Sequence, residues 1–108
     1  MDITPLVPKG KNLIDGYGKG YILVNGKKHY APIIISPDQF ILDVKNYHEF
    51  LKLDKKPEIL IIGSDSKINR STLDINVEFM SFGAACRTYN VLLTEGREVA
   101  CFLCENFT

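Results

Sequence analysis

The most restrictive stretch of this chain is Ile59-Leu60-Ile61-Ile62, introduced by Pro57-Glu58 and stopped by Gly63-Ser64-Asp65-Ser66. Successive strand residues point to opposite faces of a sheet, so a run without polar alternation leaves neither face suited to water. Such a strand belongs at the centre of a sheet covered on both sides. The segment Glu98–Cys104 makes the same demand, because Val99, Cys101 and Leu103 alternate with Ala100, Phe102 and Cys104, and both sets are apolar. A chain of 108 residues, 45% hydrophobic and 24% charged, holds material for one core of this kind.

The remaining elements follow from turn chemistry and periodicity. Asn25-Gly26 between the β-rich runs Tyr17–Val24 and Lys27–Ile35 predicts a hairpin, since both turn residues tolerate positive φ. Phe40–Val44 reads as a third strand. Asn46 is placed to cap a helix through Leu53, with Tyr47, Phe50 and Leu51 at helical spacing. The stretch Ile68–Asp74 allows one or two helical turns, with Asp65 or Asn69 as cap, and barely supplies the crossover that parallel strands require. Ile75–Met80 alternates like a strand. Ser81 then caps a helix over Phe82–Glu95, whose apolar stripe is Ala85, Tyr89, Leu92 and Leu93, and Gly96 suits its end. The expected organisation is an irregular lead-in over residues 1–13, one α/β domain with a mixed sheet over 14–104, and a tail over 105–108.

Charge excludes several function classes. Thirteen Lys and Arg balance thirteen Asp and Glu, so the totals lack the cationic footprint from which a nucleic-acid binder draws its affinity. The pairs Lys27-Lys28 and Lys55-Lys56 lie beside turns and read as solvated loop charge. No apolar run approaches the ~20 residues of a membrane-spanning helix, and Met1-Asp2-Ile3-Thr4-Pro5 lacks the basic and apolar regions of a secretory signal. Three cysteines without a signal fit a reducing bacterial cytoplasm.

Chemistry has one favoured location. If the strands ending at Ile62 and Met80 are parallel, the loops Gly63–Ser66 and Ser81–Gly83 emerge on one sheet edge, where ligands of open α/β sheets bind. Gly63, Ser64, Ser81, Gly83, Ala84 and Arg87 are the candidate anion or ligand contacts, using the free amides at the helix start and one bidentate cation. The competing reading makes the small residues a packing surface and pairs Arg87 with Asp65 or Glu78. Cys86, at the helix start, has no histidine with an evident reason to reach it and reads as a small buried residue. Cys101-Phe102-Leu103-Cys104 is C-x-x-C by letter only, because strand positions three apart face opposite ways. No acidic pair or metal-ligand spacing stands out, so catalytic and metal residues are not assigned. Asn90 and Arg97 are suited to satisfying buried carbonyls.

The block Met80-Ser81-Phe82-Gly83-Ala84-Ala85-Cys86-Arg87-Thr88-Tyr89-Asn90 and its continuation to Ala100, with Ile14-x-x-Tyr17-Gly18-x-Gly20, Asn25-Gly26 and Pro57–Gly63, resembles a known family. It is the small domain shared by mitochondrial complex I assembly factor 3 and bacterial and archaeal proteins of unassigned function. The chain departs from the pattern at Gly63-Ser64-Asp65, where the family usually carries Gly-Thr-Gly, and at Ser81-Phe82 in place of Asp-Thr. The resemblance implies a three-layer α/β fold, no established catalysis and no cofactor. It also implies a protein partner, either an assembly factor or a respiratory subunit, which would bring a cytoplasmic chain to the membrane surface. Tyr17, Tyr21 and Phe40 around the hairpin are the candidate interaction residues, and an unpaired sheet edge leaves room for a homo-oligomer.

Overall fold

The computed structural model of the chain describes residues 10–64 and 76–104, with Tyr47 described by its backbone alone. Two sheets share these residues. The smaller is the antiparallel meander β1 (Ile14–Gly18), β2 (Tyr21–Val24) and β3 (Lys27–Tyr30). The larger contains β4 (Ile33–Ile35), β5 (Phe40–Leu42), β6 (Ile59–Gly63), β7 (Asn76–Met80) and β8 (Val99–Leu103), in the order β5-β4-β8-β6-β7. Helix α1 spans Phe82–Thr94, and a 3-10 helix spans Tyr47–Lys52.

The large sheet is mixed, as the two apolar runs require. β6 pairs in parallel with both β7 and β8, whereas β4 runs antiparallel to β8 and β5. Every residue of β6 and β8 is buried. Ile59, Ile61, Val99, Cys101 and Leu103 join one core with α1 and the small sheet. Leu60, Ile62, Ala100, Phe102 and Cys104 join a second core against Val44, Phe50 and Leu53 at the 3-10 helix. The sheet is therefore the middle of three layers, and the cysteines of the C-x-x-C lie in different cores.

Local chemistry sets the element ends. Asn25 (φ 53°) and Gly26 (φ 77°) both take the left-handed conformation that closes a two-residue hairpin. Asn46 and Glu49 form a reciprocal capping box at the 3-10 helix. The Ser81 hydroxyl accepts from the Ala84 amide at 3.4 Å, and Gly96 (φ 77°) ends α1. The buried stripe of α1 is Phe82, Ala85, Cys86, Tyr89 and Leu93, wider than expected by Phe82 and Cys86; Leu92 packs against its rim.

Three expectations need correction. The run Tyr17–Val24 is not one strand, because Lys19 and Gly20 (φ 78°) turn the chain and create β1 as an additional strand beginning at Ile14. The run Lys27–Ile35 is not one partner strand either. It divides at Ala31-Pro32, whose peptide is cis, and β4 leaves the small sheet to pair with β5 and β8. The helix capped by Asn46 is 3-10 rather than α. The helical turns expected over Ile68–Asp74 lie outside the described residues.

Candidate functional site

The parallel pairing places the carboxyl ends of three strands together. Gly63 is in register with Met80 on one side and Leu103 on the other. The Ser64 amide donates to the Met80 carbonyl at 3.0 Å, and the Cys104 amide to the Gly63 carbonyl at 3.0 Å. α1 begins two residues beyond β7, so Gly63, Ser64, Ser81, Gly83, Ala84 and Arg87 do gather at one sheet edge.

The space between them is taken by the chain's own side chains. A Cβ added to Gly63 would overlap the Ala85 methyl and sit 2.8 Å from Leu103 Cδ2. Gly63 is thus the notch into which Ala85 fits, and Ser64 beside it is buried. The first turn of α1 is roofed by Tyr17 of β1: a Cβ on Gly83 would lie 2.9 Å from the Tyr17 hydroxyl oxygen. Arg87 Nη1 donates to that same hydroxyl. Tyr17, a candidate interaction residue, spans 70 residues of sequence to lie over the helix start and remains 42% exposed. The Ala84 amide is occupied by Ser81 Oγ. The suggested Arg87–Asp65 pair lies outside the described residues.

Two further clips hold β1 and its approach along α1. Asn90 accepts from the Ile14 amide at 2.9 Å and donates to the Ile14 carbonyl at 2.8 Å, a backbone-mimicking double bond. The Tyr89 hydroxyl, fully buried, donates to the Asn12 carbonyl at 2.7 Å. Asn90 therefore does satisfy a carbonyl, as its position suggested. Arg97 does something else and pairs with Glu58 at 3.6 Å.

The electrostatics at this edge do not favour a thiolate. Burial pushes the Cys86 thiol up to about 12, against a weaker opposing pull from Arg87. Burial also raises Cys101, and it raises Cys104 despite a hydrogen bond from Ser64 that acts the other way. The three thiols are free and protonated at neutral pH. Among the described residues no group of three His, Cys, Asp or Glu side chains is placed to hold a metal ion.

A recess that sequence reasoning missed lies at the opposite edge, by the amino ends of β6 and β8. It has a volume of about 360 Å³ and is lined by Lys11, Asp38, Gln39, Asp54, Lys55 and Val99, among others. Asp38 bonds Lys11 at 2.6 Å and faces Lys55 at 3.6 Å; the Lys11 hydrogen bond holds its carboxyl below the usual range. Its wall is fixed by Asn12, whose side chain donates to the Ser36 carbonyl at 3.0 Å. These residues come from three loops and the start of β8, and no local motif announces their meeting.

The surface aromatics divide by role. Tyr21 is half-buried, lying across Gly18, with Lys28 Nζ 4.4 Å from its ring centre. Phe40 is half-buried and stacks on His29 at 4.7 Å, tying β5 to the small sheet. Tyr17 (42%) and Tyr30 (67%) are exposed, as is the apolar Leu42 (58%) on β5; sequence singled out neither Tyr30 nor Leu42.

Residues 14–104 match the model of a family described as "Protein of unknown function (DUF498/DUF598)". A "13 kDa major membrane protein" of Francisella tularensis subsp. holarctica (strain LVS) is 32% identical over 105 residues, covering 81% of this chain and 85% of that one. The crystal structure of an outer membrane protein from Bartonella henselae superposes with a TM-score of 0.71 at 29% identity, covering 92% of this chain and 98% of that one. A solution structure of a Mth938-like domain from Bordetella pertussis has a TM-score of 0.65 at 23% identity, covering 99% of this chain and 94% of that one, and shares the fold.

Proposed function

The chain belongs to the DUF498/DUF598 family of proteins of unknown function, and from that premise we propose that it is a non-catalytic interaction factor acting at the surface of a membrane-bound assembly. The client suggested by the resemblance of its Ala84–Asn90 block is respiratory complex I, the NADH:ubiquinone oxidoreductase. The observation that carries this reading is the contrast between the two kinds of surface. The ligand edge is filled from within by Tyr17, Ala85 and Leu103. By contrast, edge strand β5 leaves Leu42 58% exposed beside the His29–Phe40 stack. An edge strand presents unpaired backbone groups, and an exposed apolar side chain on it gives a partner strand somewhere to anchor.

Two relatives bear membrane-protein names, yet no helix among the described residues is long and apolar enough to cross a membrane. Peripheral attachment reconciles the two. The alternative, a small-anion binder at Gly63, Ser64 and Gly83–Arg87, needs Tyr17 to swing off Gly83 before a ligand can enter.

The test is genetic and biochemical together. Deleting the gene in its native host should lower the amount of assembled complex I on a native gel. Wild type should restore it and Leu42→Asp should not, although an exposed change of this kind normally alters stability within about 0.5 kcal/mol. Unchanged complex I in the deletion strain would remove the proposed client.

A further inference from the structure

The small sheet carries a charge that the whole chain hides. Residues 14–30 contain Lys19, Lys27 and Lys28 against one acid, Asp15. A chain with thirteen charges of each sign thus holds a net +2 on this sheet and −2 elsewhere. The Asp15 carboxylate accepts from the Gly26 amide at 3.4 Å and so is turned to its own hairpin. Among the described residues, none of the three lysines forms an ion pair with a carboxylate; Lys11, Lys52, Lys55 and Arg97 do, and Lys45, Lys56 and Arg87 do not.

Two tyrosines of the same sheet face outward with Lys28, while Lys27, paired with the core-facing Val24, and Lys19, in the β1–β2 turn, stand exposed at its rims. Ile22 and Val24 of β2 point into the core, so Tyr21 and Leu23 point away, opposite Tyr30 and Lys28 of β3. Tyr21 and Tyr30 meet edge to face at 6.4 Å, and Lys28 Nζ is 4.4 Å from the first ring centre and 6.0 Å from the second. The result is a tyrosine-bearing face with Lys28 across both rings and basic rims. The lysines are spread along the sheet, with Lys19 in the turn before β2 and Lys27 at the hairpin end beyond it, separated by the length of β2, about 13 Å at ~3.3 Å per strand residue. A single carboxylate or phosphate cannot engage both ends. A surface of many anionic groups can. Tyrosine, with an apolar ring and a polar tip, is also the side chain that settles at the depth of lipid headgroups.

We propose that the outer face of the small sheet, through Lys28, Tyr21 and Tyr30 with Lys19 and Lys27 at its rims, rests directly on the headgroup layer of an anionic bilayer. This rests on the membrane-surface reading above and adds the lipid itself as a ligand. Juxtamembrane lysines gain from the negative surface potential, and the attraction dies away over a Debye length, ~8 Å at physiological salt. Tyr30 supplies the contact that salt does not screen.

The purified full chain should sediment with vesicles of phosphatidylcholine containing a third phosphatidylglycerol, and not with phosphatidylcholine alone. The bound fraction should fall as salt is raised. Lys27→Glu with Lys28→Glu should lower partitioning at least tenfold. Lys45→Glu with Lys56→Glu, which changes the net charge equally on other loops, should lower it less than threefold. Tyr30→Ser should lower it severalfold and leave a larger salt-sensitive share. Circular dichroism establishes that each variant is folded. No binding of wild type to the anionic vesicles, or equal losses in the two double variants, overturns the proposal. If the chain fractionates with native membranes yet ignores protein-free vesicles, the lipid proposal fails while the interaction function stands. If it binds vesicles but its deletion leaves complex I unchanged, the reverse holds.

Discussion

Gly63→Ala, alone and combined with Ala85→Gly, tests whether the sheet edge is a packed joint or a latent pocket. The added methyl would overlap the Ala85 Cβ and stand 2.8 Å from Leu103 Cδ2, with the Phe82 Cα at 3.5 Å. Ala85 and Leu103 are fully buried, so neither can yield into solvent. Overpacking of this kind costs about 1–3 kcal/mol. Ala85→Gly alone costs about 1 kcal/mol in helix propensity and about 0.8 kcal/mol for the lost buried methyl, close to 2 kcal/mol together. Independent effects would put the double variant at about 3–5 kcal/mol below wild type. Direct contact instead predicts a double variant less destabilised than that sum by a coupling of about 1–3 kcal/mol, the remaining approach to Leu103 keeping it costlier than Ala85→Gly alone. Urea unfolding resolves this, and so does melting temperature, at about 4–8 °C per kcal/mol for a domain near this size. Strict additivity would show that Gly63 and Ala85 do not meet and would refute the packed joint.

Asn90→Ala removes both bonds to Ile14 and strands two backbone groups, so it should cost about 2–3 kcal/mol by chemical unfolding, with Asn90→Asp recovering only the acceptor half. Tyr17→Phe loses one hydrogen bond and should cost under about 1 kcal/mol. Tyr17→Ala also strips the ring from Gly83 and should cost clearly more; equal costs would mean that the ring does not shield the turn. Cys86 keeps its proton to about pH 12 in the folded state, against an ordinary 9.0, so the folded form binds more protons between those values. Its contribution is therefore complete below pH 9 and declines as pH climbs towards 12. Cys86→Ala should flatten part of the alkaline loss in urea titrations; an unchanged slope would contradict the assignment.

The fold was legible where burial imposes a pattern on neighbouring residues. Ile59–Ile62 and Val99–Cys104 announced two covered faces, and Ser81, Asn46, Asn25 and Gly96 marked their element ends through local hydrogen bonding and positive φ. Sheet membership was not legible. Ile33–Ile35 reads as a strand in any sheet, and only long-range pairing with Cys101–Leu103 assigns it to the large one. Gly18-Lys19-Gly20 carries the turn between β1 and β2, but strand-like neighbours masked it. The site was half legible, because parallel pairing brought the candidate residues together while the occupant, Tyr17, arrives from the far end of the sequence. The recess at Lys11, Asp38 and Lys55 had no sequence signal, since three loops each supply an ordinary surface charge.

Tyr17 on Gly83, Ile14 on Asn90 and the Asn12 carbonyl on Tyr89 form three rungs between β1 with its approach and one side of α1. The small sheet is consequently no free paddle. A load applied to its outer surface is handed to the helix at several points, and through Ala85 and Gly63 to the middle of the large sheet. Whatever the small sheet leans on, α1 shares the load.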